Sequence, residues 1–148
     1  MLDNKNDLMT CSLSYTFNAI GGKWKPFIIW YLHATPTGIC RYGELKRKIP
    51  WDITHKVFAQ QLQELEDNNI ITRTEYDEKP ARVEYSLTEQ GKFLVPVFLY
   101  MRDWGVVFGE QFAPEDLKRT LGTQVDGSVL YDYASETLGK SVSVRFDL

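Results

Sequence analysis

Residues 53–88 read ITHKVFAQQLQELEDNNIITRTEYDEKPARVEYSLT. The first half repeats with helical spacing. On a wheel turning about 100° per residue, Ile53, Val57, Phe58, Leu62 and Leu65 share one half, and Lys56, Ala59, Gln60, Gln63 and Asp67 the other. Gln61 falls on the apolar side, and the pattern gives no reason for it. Glu64, Glu66 and Asp67 gather towards the end of the helix, away from its basic start. Asn68-Asn69 suits the left-handed conformation that closes a helix. Residues 70–76 and 82–87 then alternate in β-rich runs, joined by Asp77-Glu78-Lys79-Pro80-Ala81. A helix with a small polar outer face is thus followed directly by a two-stranded ribbon with a basic tip, a pair shaped for neighbouring grooves of duplex DNA.

The flanking sequence supplies the remaining elements. Residues 1–10 are polar and read as a flexible end. Ser12 is a candidate cap for a short helix over 13–20, stopped by Gly21-Gly22. Pro26 opens a second helix, FIIWYLHA, which is apolar almost all round and is therefore expected to be central and buried. Thr35-Pro36-Thr37-Gly38 breaks it, and a basic helix over 42–49 ends near Pro50. After the ribbon, Thr88 is expected to cap a long helix reaching about residue 112, with Pro96 bending its first turns without ending it. Leu94, Phe98, Met101, Trp104 (or Gly105) and Phe108 recur every three or four residues along it. A stripe of this length exceeds what so small a domain covers, which implies pairing with a second copy. Residues 122–148 alternate apolar and polar, as an edge strand, a hairpin or a loosely attached tail. The expected organisation is a flexible end (1–10), one domain (11–112) and a C-terminal extension (113–148). The expected class is mainly α with a small β-hairpin wing: a winged helix-turn-helix with a long C-terminal dimerisation helix.

Composition limits the alternatives. A length of 148 residues, 43% hydrophobic and 25% charged, fits one globular domain. The longest apolar run, residues 27–32, is far short of a membrane span, and the N-terminus lacks a basic, apolar signal. A cytoplasmic protein with no membrane partner is expected. Cys11 and Cys40 are too few for a disulfide scaffold and fit no zinc pattern. The two histidines, His33 and His55, sit in no ligand cluster or nucleophile–base pattern, so neither metal, cofactor nor enzymatic activity is expected. The net charge of −3 runs against the usual basic footprint of a DNA-binding protein. Distribution matters more: residues 23–56 hold seven basic and two acidic side chains, whereas 113–148 hold four and six. A locally basic face can track phosphates on an acidic protein.

Several separated motifs occur in one order: Cys11, IGGKW (20–24), RYGEL (41–45), QQLQELE (60–66), RVEYSLT (82–88), Gly91 and Trp104. Here the chain resembles the HxlR-type winged-helix transcriptional regulators, a branch of the MarR-like group, over roughly residues 11–104. The resemblance implies a homodimer acting on double-stranded DNA at a pseudo-palindromic operator. It also implies, through Cys11, a response to an electrophile or oxidant, as some members of that family show. Two departures stand out. The turn Ile49-Pro50-Trp51-Asp52 has one residue more than the family's Pro-Gly turn, and Pro80-Ala81 replaces the Pro-Pro of the wing.

The candidate site follows. Thr54 caps the reading helix, Lys56 neutralises a phosphate, Ala59 admits close approach, and Gln60 carries an amide able to pair with adenine in the major groove. His55 flanks this face. Arg82 and Lys79, at or beside the wing tip, suit a narrow minor groove, where the negative potential is strongest. Lys23, Arg41 and Lys46 are phosphate-clamp candidates, although each also reads as an ordinary surface charge. Cys11, placed just before a helix N-terminus, would be favoured as thiolate by unpaired N–H groups, and Cys40 is its candidate resolving partner. The ordinary alternative is a small buried side chain. Trp24, Trp30, Tyr31, Phe93, Phe98 and Trp104 read as core or dimer seam, or as the lining of an apolar effector pocket. The rival to a DNA-binding regulator is a winged-helix protein-interaction module.

Overall fold

The computed structural model describes residues 5–49 and 52–112. These fall in two units, Met1–Val95 and Pro96–Leu148. The turn at Pro50-Trp51 and the extension from residue 113 lie outside the described residues.

In the first unit, helix α1 (Lys5–Ile20) leads through Gly21-Gly22 into α2 (Lys25–Ala34). Helix α1 is longer than the expected 13–20 and takes in residues 5–10, which composition alone reads as a loose end. Polarity does not oppose a helix whose hydrogen bonds are internal, and no Gly or Pro interrupts residues 1–20. Ser12 is therefore not a cap. It lies inside the helix, where its carbonyl accepts a bond from Thr16 Oγ1 at 3.0 Å.

Helix α2 is the centre of the unit, as its composition predicts. Pro26 lies in its first turn, and Ile28, Ile29 and Leu32 are fully buried. It packs on α3 (Tyr42–Lys48), α4 (His55–Asp67) and strand β3 (Arg82–Leu87). From α4 come Phe58, Leu62 and Leu65 of the inner half of the wheel; Ile53 is buried just ahead of the helix, and Val57, assigned to the same half, is exposed. Gln61 now has an explanation: its Oε1 lies 3.6 Å from where a Cβ on Gly22 would stand, and Gly22 has φ +104°. The amide therefore sits over the bare backbone of the Gly21-Gly22 turn.

Helix α4 closes as Asn68-Asn69 suggests. Asn69 has φ 55°, its N–H bonds to Glu66 O at 2.9 Å, and the Ile70 N–H bonds to Leu65 O at 2.9 Å. The chain then enters β2 (Ile71–Tyr76), which pairs antiparallel with β3, Ile71 opposite Leu87 and Tyr76 opposite Arg82. A third strand that the sequence pattern missed, β1 (Ile39–Arg41), pairs antiparallel with the other edge of β3, giving the order β1-β3-β2. Three residues are too few to show a period.

Thr88 is a cap, but of a shorter helix than expected. It receives the Gly91 N–H at 2.9 Å and opens α5 (Glu89–Lys92); α6 (Val95–Phe112) follows separately. The break precedes Pro96, whose ring excludes the carbonyl four residues back and whose nitrogen carries no hydrogen. Leu94 accordingly lies in the turn between helices, not on one stripe with Phe98. A Cβ on Gly91 would fall 2.1 Å from Ile70 O, so only glycine lets α5 lie this close to the end of α4.

In the second unit α6 buries Phe98 and Asp103, and Arg102 Nε bonds to Asp103 Oδ1 at 2.7 Å. Met101 and Trp104 remain 57% and 59% exposed, and Phe108 is exposed beside Trp104. No helix among the described residues is long and apolar enough to cross a membrane.

Candidate nucleic-acid interface

The start of α4 is built locally. Thr54 is extended, and its side chain accepts the Val57 N–H at 3.3 Å, satisfying one of the donors that a helix start leaves free. Tyr42, the first residue of α3, ties this end down. Its hydroxyl lies 3.1 Å from His55 Nδ1 and donates to His55 O at 3.4 Å, and the two rings stack with centroids 5.9 Å apart. The edge of Tyr42 meets Phe58 beneath. Partial burial pushes the Tyr42 phenol up, keeping it a neutral donor. Sequence reading gave Tyr42 no role of its own, although it stands in the RYGEL motif at the head of the basic helix.

Along the outer face, Lys56, Ala59 and Gln60 are all exposed, as the wheel predicts. Lys56 has no ion-pair partner among the described residues. Gln60 is not a free amide: its Nε2 donates to Glu64 Oε1 at 2.9 Å. Glu64 in turn meets Lys25, Nζ to Oε2, at 2.7 Å. The Lys25 ammonium, then the Gln60 amide, hold the Glu64 carboxyl below its usual range. Lys25 counts as part of the basic stretch in the sequence, yet its side chain is only 6% exposed and its charge is answered inside the protein. One turn further on, Gln63 Nε2 bonds to Asp67 Oδ1 at 2.8 Å with no such lysine behind it.

The hairpin corrects one expectation. Arg82 does not project from the wing tip. Its guanidinium reaches Glu78 at 3.0 Å and Glu84 at 3.6 Å and lies 3.9 Å from the centre of the Tyr76 ring. Being opposite Tyr76, it occupies the base of the loop, whose own residues supply the compensating charge. Lys79 is exposed at the tip and has no ion-pair partner among the described residues. Arg41, Lys79 and Arg82 nevertheless come together, lining with Tyr42 and Glu78 a cleft of about 400 Å³ between the start of α3 and the hairpin loop. Tyr42, which lines this cleft, is the residue that contacts His55 at the start of α4.

The other cations are more ordinary. Lys23 Nζ lies over the Trp24 ring at 4.5 Å. Arg41 is exposed ahead of α3, its backbone N–H bonded to Glu44 Oε2 at 3.0 Å, and Lys46 is half-buried.

The cysteines also differ from expectation. Cys11 lies within α1, six residues past its first residue, and so does not stand just before a helix N-terminus as expected; it is exposed. Cys40 is buried in β1, its Sγ 3.3 Å from Thr35 Oγ1.

Comparison with known proteins gives a consistent result. The family model described as HxlR-like helix-turn-helix matches residues 19–113. A Fusobacterium mortiferum protein, MalR, named as regulatory, is 52% identical over 104 residues, covering 70% of this chain and 94% of its own length. The HTH-type transcriptional regulator YdzF of Bacillus subtilis is 45% identical over 95 residues, 64% of this chain and 84% of that protein. Among solved structures, the redox regulator HypR in its reduced form superposes with a TM-score of 0.61 at 35% identity, covering 73% of this chain and 98% of its own.

Proposed function

The chain belongs to the HxlR-like helix-turn-helix family of transcriptional regulators, and we propose that it acts as a homodimer on a pseudo-palindromic DNA operator. Each subunit lays α4 in a major groove and the β2–β3 wing over the adjoining minor groove. The observation that carries this reading is the outer face of α4. It presents an exposed Lys56, a small Ala59 and an amide at Gln60, on a helix whose start is capped by Thr54 and braced by Tyr42. Lys56 contacts phosphate, Gln60 reads a base edge, and His55 lies against the backbone. Lys79 makes the wing's contact, while Arg82 holds the loop that presents it. Arg41 and Lys46 add phosphate contacts beside the cleft, and Lys23 adds one from the turn before α2. The exposed apolar side chains Met101, Trp104 and Phe108 on α6 supply the seam between subunits; Phe98 is already buried within the chain.

Selection from a randomised duplex pool, followed by anisotropy titration across salt, tests the reading. Affinity for the selected duplex falls steeply with salt. Gln60→Ala changes the preference among duplexes, and Arg82→Ala weakens all of them alike. A protein that selects nothing and shows no salt-dependent affinity is instead a protein-interaction module.

A thiol response is the finer part of the proposal. Its support is the exposure of Cys11 and the likeness to HypR, solved as a redox regulator in oxidised and reduced forms. Comparing the operator affinity of reduced, oxidised and Cys11→Ser protein tests it. An oxidant effect that persists in Cys11→Ser removes Cys11 from the mechanism.

A further inference from the structure

Two glutamines on the outer face of α4 make the same local contact. Gln60 donates to Glu64, and Gln63 donates to Asp67, each four residues ahead and at nearly equal distance, 2.9 and 2.8 Å. By itself such a pair on an exposed helix is weak against the rotamer freedom of its side chains. The two differ in what stands behind the carboxylate. Asp67 has no cation in contact among the described residues. Glu64 is held through its second oxygen, at 2.7 Å, by Lys25, whose side chain is 6% exposed and anchored at the start of the core helix α2. A buried ammonium requires an anion beside it, so this contact does not open without cost, and Glu64 is not free to swing.

We infer that Lys25 orients the base-reading amide of Gln60 by way of Glu64, so that both are positioning residues for sequence recognition. The inference rests on the proposed reading role of Gln60. With one Nε2 hydrogen committed to Glu64, the amide offers outward its oxygen and one remaining N–H. That donor–acceptor pair matches the N6 and N7 edge of adenine in the major groove. A glutamine whose amide turns freely accepts the wrong edge as readily as the right one. The fixed one discriminates.

The test has two arms. In the DNA-free protein, side-chain ¹⁵N relaxation reads the Gln60 amide as more ordered than the Gln63 amide, and Lys25→Met brings the two together. On duplexes drawn from the randomised pool and differing by one base at the adenine position, Lys25→Met lowers the preference about tenfold, within what a bidentate base contact provides. It does so without changing the salt dependence. Taking the ratio between duplexes cancels any general effect of the lost charge. Equal mobility of the two amides in the unaltered protein overturns the inference, even where Lys25→Met does not fold. So does a preference that Lys25→Met leaves intact while Gln60→Ala abolishes it. If Gln60→Ala itself leaves the preference intact, the base-reading role of Gln60 fails and takes the recognition part of the inference with it. The relaxation arm then still decides whether Lys25 orders the amide.

Discussion

Helix α4 and the β2–β3 hairpin carry similar residues and arrange them in opposite ways. On α4 the basic side chain nearest the helix start, Lys56, has no ion-pair partner among the described residues, and the acidic ones lie a turn or more further along. On the hairpin the cations are answered in place: Arg73 by Glu75 at 2.9 Å, and Arg82 by Glu78 and Glu84. Only Lys79, at the tip, stays free among the hairpin's basic residues. The two also differ underneath. Helix α4 buries Phe58, Leu62 and Leu65, whereas β2 buries only Ile71 and β3 only Tyr85. One element is anchored by its core side and presents unneutralised charge; the other is held by its backbone ladder, answers most of its charge within itself and presents little. Rigid presentation suits base reading, and a self-compensated ribbon suits a contact that orients without discriminating.

The largest expected effect strikes the anchored side. Phe58→Ala removes a fully buried ring from beneath Tyr42 and costs about 3–5 kcal/mol in urea unfolding. Tyr76→Ala, on the hairpin, removes a half-exposed ring stacked with Arg82 and costs about 1 kcal/mol. Equal losses would erase the distinction between the two elements. The next effect separates their charges. Lys56→Ala lowers the slope of log affinity against log salt by about one and leaves stability within about 0.5 kcal/mol. Arg82→Ala destabilises by about 1 kcal/mol, through the lost stacking and ion pairs, and leaves that slope in place. A reduced slope for Arg82→Ala would mean that the guanidinium leaves Glu78 and Glu84 when DNA binds.

The same contrast explains what was legible in the sequence. The helical period within residues 53–67, the Asn68-Asn69 stop and the β-rich runs beyond it are local signals, and a helix, its close and two strands stand there, although burial along the strands does not alternate. The Thr54 cap was legible for the same reason. Pairing is not local. Nothing in the order of residues tells that Lys25, counted among the basic residues, turns inward to Glu64, or that Arg82 is claimed by two nearby carboxylates. The Gln60–Glu64 spacing of four was visible, but its anchorage depends on how α2 crosses α4. The place of Cys11 within α1 is hidden because the polar residues 1–10 read as a chain end and Ser12 as a cap, and β1 is too short to show a period. At the Thr88 helix the signal is Pro96 itself, which permits either a bend or a stop, and the structure has a stop, with α5 ending at Lys92 and α6 starting at Val95.

A smaller effect tests the start of α4 directly. Thr54→Ala removes the acceptor of the Val57 N–H and costs about 1 kcal/mol, with Thr54→Ser restoring most of it. A cost near zero would leave the Tyr42–His55 contact as the main restraint on that end.

The smallest effect is a pH dependence with a definite sign. Lys25, and after it Gln60, lowers the pKa of Glu64 in the folded state, so the folded protein binds fewer protons here than the unfolded chain. The stabilisation is therefore complete above the ordinary glutamate pKa of about 4.3 and is lost as pH falls below it, through the depressed folded value. Lys25→Met removes the main cause, so the urea midpoint of the variant falls less steeply over the same acid range. Protonating Glu64 in the unaltered protein also leaves the buried Lys25 ammonium without its anion, a burden that the methionine variant does not carry. The two midpoints are expected to converge on acidification and then to cross, with Lys25→Met the more stable in acid. Parallel midpoints across the carboxylate range would show that Glu64 keeps its charge for reasons other than Lys25, and the anchored side of α4 would lose its electrostatic part.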